Sequence, residues 1–215
     1  MESDLLQRLG NKEITKSELF TLVESNFSLV SVLLKGTDST KPTIRYSCAS
    51  VLTNLSEKNP DKLYPYWDNF IALLYSKYRI LTWNALAIIA NLTAVDVDRK
   101  FDALFDKYYC FLDNEYMVTV SNVVVNSATI ASNKPYLADE IAAELLKVQN
   151  LKITPHLTEE CKLVIAEQTI STLSTYFDRI QNKKPIVAFA KQHVNSTRTS
   201  LREKAQNFLK EQKYH

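Results

Sequence analysis

Glycine is the residue this sequence lacks most clearly: the 215 residues contain only two, Gly10 and Gly36. With two glycines so far apart, neither a Gly-x-Gly-x-x-Gly motif nor a Walker-type loop can be present, and nucleotide sites of those kinds are excluded. β-Hairpins usually need glycine in their turns, so hairpin-rich β architectures are disfavoured too. The 46% of hydrophobic residues is ordinary for a globular protein. The sequence therefore predicts an all-α protein.

Cysteine is also sparse, and the sequence carries no targeting pattern. Cys48, Cys110 and Cys161 are odd in number and far apart, which predicts reduced thiols rather than a disulfide framework. The N-terminal residues MESDLLQRLG lack the basic stretch followed by an apolar run that a secretory signal has. The most apolar stretch, residues 85–90, is too short to cross a bilayer. We therefore expect a cytoplasmic protein without membrane contact.

Charge is nearly balanced overall, at +2, but it is unevenly distributed. Residues 1–178 are net acidic, whereas residues 179–215 hold nine Lys and Arg against two acidic residues. Two interpretations stay open: a solvated terminal helix pair, or a surface for nucleic acid or an acidic partner. The candidate basic patch comprises Lys183, Lys184, Lys191, Arg198, Arg202 and Lys204.

The chain repeats one apolar pattern along its length. Residues 44–56 align with residues 81–93 at an offset of 37, with apolar residues coinciding at five positions and Asn-Leu-Ser/Thr closing both segments. Further copies lie at 119–131, 162–174 and 201–209. The spacing is the i, i+4, i+7, i+8, i+11 stripe of an amphipathic helix.

A second helical pattern, richer in aromatic residues, precedes each copy. These first helices are predicted at 17–34, 60–76, 97–112, 134–148 and 177–194, and a short helix over 3–9 would cap the N-terminus. One helix pair cannot bury its apolar stripe alone, whereas stacked pairs share a continuous core. We therefore predict a single domain over 1–215, an all-α, right-handed α-α superhelix of about five pairs, at roughly 13–56, 60–93, 96–132, 134–174 and 175–215.

Several short motifs in these pairs resemble the HEAT repeat family. They are Leu63-Tyr64-Pro65 in a first helix, Phe111-Leu112-Asp113 at the end of another, and the apolar-arginine openings Ile44-Arg45 and Leu201-Arg202. Thr82, Val120 and Leu163 stand where further arginines would be expected, so the repeats are divergent. Armadillo repeats, the sister family, usually place glycine between their first two helices, so the glycine shortage favours HEAT. The resemblance implies an α-solenoid whose second helices line a concave face.

The positions opposite the apolar stripe of the second helices form a row with little charge. They are Ser47, Ser50, Asn54, Asn84, Ala87, Asn91, Asn122, Val125, Thr129, Ile165, Gln168, Thr172, Lys204, Asn207 and Glu211. A side-chain amide donates and accepts at once, so it can pair with a peptide main chain of any sequence. Alternatively, Asn54 and Asn91 end their helices, because asparagine tolerates the left-handed conformation found there. The predicted partner-binding residues are Ser47, Ser50, Asn54, Trp83, Asn84, Asn91, Asn122 and Gln168.

Enzymatic interpretations find little support in the residues. His156, His193 and His215 show no metal-ligand spacing, so neither a metal nor another cofactor is expected. Cys161 with His156 offers a weak dyad. Asp98, Asp102 and Asp106, at a spacing of four, offer a weak cation site or a solvated face.

The weak charge of the row also bears on nucleic acid. A duplex-binding groove needs several lysines or arginines. The DNA glycosylases built on HEAT-like repeats are expected to have a basic, aromatic groove with a carboxylate, and such an enzyme is the one exception to the prediction that this protein is not an enzyme. We expect a non-catalytic scaffold or adaptor that binds a protein or peptide segment. The alternative is a nucleic-acid-associated protein that uses the basic C-terminal repeat.

Overall fold

The computed structural model describes residues 2–212, and among them no strand is formed. These residues divide into two compact units, one ending at Lys100 and the other beginning at Phe101. The all-α prediction is confirmed. That residues 1–215 form a single repeat domain stays a prediction.

The first unit is built from helices joined by short turns. They are α1 (Glu2–Gly10), α2 (Lys16–Ser25), α3 (Val30–Thr37), α4 (Pro42–Lys58), α5 (Pro60–Leu63), α6 (Trp67–Leu74) and α7 (Arg79–Leu92). Short 3-10 segments lie at Phe27–Leu29, Tyr64–Tyr66 and Thr93–Val95. Helix α4 packs against α2 and α3 on one side and against α7 on the other, and α6 packs on α7.

The second unit begins within the first turn of α8 and continues the same alternation. Its helices are α8 (Lys100–Tyr109), α9 (Met117–Asn133), α10 (Ala138–Leu146), α11 (Glu159–Thr175), α12 (Lys184–Gln192) and α13 (Thr199–Glu211). Further 3-10 segments lie at Cys110–Asp113, Pro135–Leu137, Lys147–Asn150 and Phe177–Arg179. Helix α11 packs against both α9 and α13, and α12 packs on α13.

The predicted second helices are confirmed as α4, α7, α9, α11 and α13, with ends within a few residues of the sequence prediction. Their apolar stripes are buried: in α7, for example, Ala85, Leu86 and Ile89 are fully excluded from solvent. Burying several such side chains, each contributing about 1.5–3 kcal/mol, drives the pairing of the helices.

The predicted first helices are wrong as continuous helices, because local side chains interrupt them. Asn26 ends α2, and its side-chain Oδ1 accepts a hydrogen bond from the Ser28 backbone N–H at 3.2 Å. Such a bond competes with the helical hydrogen bonds, and the segments on either side meet at a bend of 120°. Taken singly, none of the described helices is long and apolar enough to span a membrane. The two segments of this bent pair reach the necessary length and apolar composition only when they are counted together.

Proline and an extended residue interrupt the other first helices. Pro65 and Pro135 lie in 3-10 turns before α6 and α10, where the missing N–H rules out a regular helical bond. Ile180 is extended, so α12 begins only at Lys184. Val97, predicted to start a first helix, lies before α8. The breaks shorten the first helices, while α3, α6 and α12 still pack on α4, α7 and α13, the second helices that follow them.

Gly36 lets α3 lie directly against α4. A Cβ atom at this position would collide with the Cys48 sulfur and would lie 3.0 Å from a methyl group of Leu6. The first contact is closer than real Cβ contacts and the second is tighter than most of them, so a larger residue would push the helices apart. The burial of Cys48 beneath this contact raises the pKa of its thiol to about 12.

The two arginines of the apolar-arginine openings make equivalent hydrogen bonds. The Arg45 Nη1 atom donates to the carbonyl oxygen of Ser39 at 2.7 Å, and the Arg202 Nη1 atom donates to that of Ser196 at 2.9 Å. Each acceptor lies six residues earlier, in the loop before the second helix. A guanidinium group therefore fixes the loop onto the helix that follows it in both cases.

Candidate functional site

The first unit has a groove between α2 and α4 that contains two of the predicted binding residues, Ser50 and Asn54. The groove has a volume of about 640 Å³. Asn54 is exposed and Ser50 is half-buried. The complete lining is Lys16, Ser17, Phe20, Ser50, Asn54, Glu57 and Lys58.

Helical spacing places these side chains on facing walls. Lys16 and Phe20 are four residues apart on α2, as are Ser50 and Asn54 on α4, so each pair lies on one helix face. The Lys58 ammonium group lies 4.8 Å from the centre of the Phe20 ring and connects the two walls. A cation over an aromatic face contributes about 0.5–1 kcal/mol at exposed sites.

The start of the α2 wall is fixed by a capping box. The Glu18 backbone N–H donates to the Thr15 hydroxyl oxygen at 3.2 Å, and the Thr15 backbone N–H donates to the Glu18 carboxylate at 2.8 Å. The bond from the Thr15 backbone, with that from its hydroxyl group, lowers the pKa of Glu18. The Glu18 carboxylate is thus engaged in capping the start of α2, which carries Lys16 and Phe20 of the groove.

Asn84 and Asn91 connect α7 to α4 through side chains. The Asn84 Nδ2 atom donates to the Thr53 hydroxyl oxygen, and the Asn91 Nδ2 atom donates to the Ser56 hydroxyl oxygen, each at 2.9 Å. Thr53 and Ser56 in turn donate to carbonyl oxygens of their own helix, at 3.0 and 2.7 Å. Each hydroxyl group therefore accepts one bond and donates another, and the two asparagines form a neutral ladder between second helices.

The alternative that Asn54 and Asn91 end their helices is wrong. Asn54 lies inside α4, which ends at Lys58, and Asn91 lies inside the last turn of α7. Among the described residues, the non-glycine residues with positive φ are Lys12 and Arg99. Neither asparagine adopts the left-handed conformation on which that alternative depended.

The other predicted residues of the first unit lie outside the groove. Ser47 and Trp83 are half-buried, on α4 and α7 respectively, and neither belongs to the groove lining. The groove residues that sequence reasoning missed are Lys16, Ser17, Phe20, Glu57 and Lys58. Lys58 lies four residues after Asn54, so extending the row by one helical turn would have found it.

The second unit has a smaller groove, of about 270 Å³, between α9 and α11. Gln168 lines it, and the Gln168 Oε1 atom is buried without a hydrogen-bond partner among the described residues. Val125 is 52% exposed on the opposite wall. Asn122 lies outside the lining, and its Nδ2 atom donates to the Val118 carbonyl oxygen of its own helix at 2.8 Å. Ile165, predicted to lie in the row, is fully buried, so that assignment is wrong.

The basic patch is divided between exposed and engaged cations. Lys184, Lys191 and Lys204 are exposed. The Lys183 ammonium group lies 4.9 Å from the centre of the Phe177 ring, and Arg202 holds its loop as described above.

Arg198 is neutralised by two carboxylates. The Arg198 Nε atom donates to Glu167 at 2.9 Å, and its Nη1 atom donates to Glu160. Burial raises the pKa of Glu167, but hydrogen bonds from Ser200 and Arg198 outweigh it, and the pKa is lowered. Arg198 thus belongs to a contact between α11 and the start of α13.

The groups considered for catalysis are engaged in other contacts. The His156 ring stacks on Tyr116 with centroids 4.3 Å apart, and the Thr158 hydroxyl group donates to the Cys161 sulfur at 3.3 Å. The aspartate row is wrong, because Asp98 precedes α8 and lies beside the Tyr64 hydroxyl group at 3.4 Å. Within residues 2–212, no group of three or more His, Cys, Asp and Glu side chains could hold a metal ion.

Comparisons with known proteins bear on the fold. No family model matches the sequence, and the search of curated proteins returned no match. Among solved structures, the designed armadillo repeat protein YIII(Dq)4CqI is 17% identical, with a TM-score of 0.62 over 95% of this chain and 90% of that one. The designed armadillo repeat protein YIII(Dq.V1)4CPAF, in complex with the peptide (KR)4, is 13% identical, with a TM-score of 0.63 over 97% and 91%.

A third similar structure, an engineered protein, is 17% identical, with a TM-score of 0.54 over 99% of this chain and 88% of that one. Identities this low show the fold and nothing further. Together with the alternation of first and second helices in both units, they establish that this chain has the fold of HEAT/armadillo-like helical repeats, the α-solenoid class that its sequence predicts.

Proposed function

We propose that this protein is a non-catalytic scaffold that binds an extended segment of a partner protein along the second helix α4. The observation that carries the proposal is the groove between α2 and α4, because it combines an exposed amide and a hydroxyl group with an aromatic ring. These are the groups that an extended peptide needs for main-chain hydrogen bonds and for burial of one side chain.

The chemistry of Asn54 suits a main chain rather than one particular side chain. Its amide oxygen accepts from a peptide N–H while its amide nitrogen donates to a peptide carbonyl. Phe20, half-buried on the opposite wall, offers apolar area to the groove. Recognition of this kind fixes a segment by its backbone and leaves selectivity to the side chains at the groove edges.

One comparison supports the binding of a segment, and one feature of the chain supports its location. A designed protein of similar fold is described in complex with a peptide. The three cysteines are free thiols, as expected of a protein kept in a reducing compartment, and the proposal includes a cytoplasmic location.

Binding of nucleic acid is the second candidate, and the three exposed lysines of the basic patch favour it. They would supply phosphate contacts, whose strength falls steeply as salt increases. The neutralisation of Arg198 by two glutamates reduces the charge available, so we rank this candidate below peptide binding. Retention of a labelled oligonucleotide at low salt, and its loss at physiological salt, would support it.

The test begins by selecting short peptides from a random display library with the purified chain. Binding of the selected peptides is then measured by fluorescence anisotropy for two variants, Asn54→Ala and Asn69→Ala. Asn69 is a matched control, because it is also an exposed asparagine of the first unit but lies on α6, outside the groove. We expect Asn54→Ala to weaken binding about fivefold, the loss of one hydrogen bond of about 1 kcal/mol. The proposal is overturned if no peptide is selected, or if the two variants bind equally well.

A further inference from the structure

The groove between α2 and α4 carries positive charge on both of its walls. Lys16 lies at the first position of α2 and Lys58 at the last position of α4, and both are exposed. Glu57 is the one acidic residue in the lining. Because each lysine comes from a different helix, a ligand that lies between the helices meets a cation on either side.

The position of Lys16 is not explained by the stability of its own helix. The N-terminal end of a helix carries a partial positive charge, and a cation there is unfavourable by a few tenths of a kcal/mol. The acidic residue of the same turn, Glu18, has its carboxylate engaged with Thr15 in the capping box. A negatively charged ligand near Lys16 would gain from the side chain and from the helix end together.

Lys58 is held by a cation–π contact, and no carboxylate of the described residues forms an ion pair with it. Its ammonium group lies over the Phe20 ring, at 4.8 Å from the centre of the ring. Phe20 thereby supplies an apolar surface flanked by Lys58 from α4 and Lys16 from α2. A segment in which an apolar side chain stands between carboxylates matches this order of groups.

We propose that the groove selects acidic segments: Lys16 and Lys58 bind carboxylates of the partner, Phe20 contacts an apolar side chain between them, and Asn54 pairs with the main chain. This inference rests on the proposed function, since it names the chemistry of the segment bound at the same site. Charge complementarity decides which peptide binds, while the pairing of Asn54 with the main chain contributes equally to all.

The experiment compares three peptides of equal length with the whole chain by fluorescence anisotropy. One has an aromatic residue flanked by Asp and Glu, the second has the corresponding Asn and Gln, and the third has Lys and Arg. We expect the acidic peptide to bind at least about tenfold more tightly than its amide counterpart at low salt. The difference should shrink at physiological salt, because both lysines are exposed and are screened.

A charge reversal gives the sharper result. In the double variant Lys16→Glu, Lys58→Glu, the preference should invert, so that the basic peptide binds more tightly than the acidic one. The matched control is Lys62→Glu, Lys107→Glu, which makes the same change in net charge at two exposed positions outside the groove. Circular dichroism verifies that both double variants keep their helices.

The outcomes separate this inference from the proposed function. If no peptide of any charge binds, the proposed function itself fails. If peptides bind and Asn54→Ala weakens them, but acidic and amide peptides bind alike, the inference alone is overturned. It is also overturned if the control pair changes the preference as much as the groove pair, or if a single-stranded oligonucleotide displaces the acidic peptide, since the groove would then bind polyanions in general.

Discussion

The second helices of the two units are connected in different ways. In the first unit, α7 is tied to α4 by two neutral hydrogen bonds, from Asn84 and Asn91 to hydroxyl groups. In the second unit, α11 is tied to the start of α13 by charged groups, since Glu167 accepts from both Arg198 and Ser200. One helical repeat pattern thus supports a neutral contact in one place and an ionic contact in another.

The difference bears on how each unit responds to its surroundings. A hydrogen bond between an amide and a hydroxyl group has no titrating member and is little affected by salt. An ion pair that is partly exposed loses strength when salt rises or when its carboxylate is protonated. The first unit, which carries the proposed peptide groove, should therefore keep its second helices in place over a wider range of pH.

The largest difference between the units should come from their equivalent arginines. Arg45 is only 3% exposed, its guanidinium carbon lies 3.6 Å from the centre of the Tyr78 ring, and it holds the Ser39 carbonyl. Arg45→Ala should reduce the free energy of unfolding by about 2–4 kcal/mol, the sum of lost charged hydrogen bonds and a desolvated cation–π contact. Arg202 is half-buried, so Arg202→Ala should cost about 1 kcal/mol.

Urea unfolding followed by circular dichroism measures both losses, and labelling of Cys48 by a thiol reagent reports on the first unit. Cys48 is buried, so it reacts only when α3 and α4 separate, and Arg45→Ala should speed its labelling while Arg202→Ala does not. Arg45→Lys is the control for charge, because lysine keeps the cation but lacks the fork that holds the loop. Equal losses at the two positions would show that burial does not distinguish the two contacts.

The sequence predicted these second helices because the cause is local. The apolar spacing of residues such as Leu81, Ala85 and Ile89 follows from helix geometry alone, and Arg45 and Arg202 each bond to the loop before their helix. The breaks in the first helices were missed, because a bend at Asn26 depends on whether its side chain bonds to its own backbone. The apolar periodicity of the sequence carries no information about that competition.

The candidate site was only partly predictable, for a related reason. Ser50 and Asn54 were identified because they lie opposite the apolar stripe of α4, whereas no feature of the sequence singled out Phe20 on α2. Which residues of α2 face α4 depends on the bend after α2, so the second wall of the groove could not be read from one helix. Asn84 and Asn91 belong to the predicted row, but their bonds to α4 depend on the register between neighbouring helices.

The neutral ladder should contribute a middle-sized effect. Asn84→Ala and Asn91→Ala should each lower the free energy of unfolding by about 0.5–1.5 kcal/mol, the usual net value of one hydrogen bond. The lower part of that range applies if Thr53 and Ser56 keep their bonds to their own helix. Asn122→Ala, whose bond lies within one helix, should be nearly neutral, since alanine also favours the helix. The ladder would be refuted by urea midpoints in which Asn122→Ala is as costly as the other two.

The smallest effect should be a dependence on pH confined to the ionic contact. Because the pKa of Glu167 is below its ordinary value of 4.5 in the folded protein, its ionised form stabilises the fold above that value, and this stabilisation is lost as the pH falls through the lowered pKa. The loss should stay below about 1 kcal/mol, because solvent screens a partly exposed pair. The difference in urea midpoint between Glu167→Gln and the parent chain should therefore be smaller at about pH 4 than at about pH 6. The control variant Glu203→Gln, at an exposed position of α13, should leave the pH dependence of the midpoint unchanged. The labelling rate of Cys48 in the parent chain should change little over this pH range. If it changes as strongly as the urea midpoint does, the neutral and ionic contacts do not differ in the way that their geometry implies.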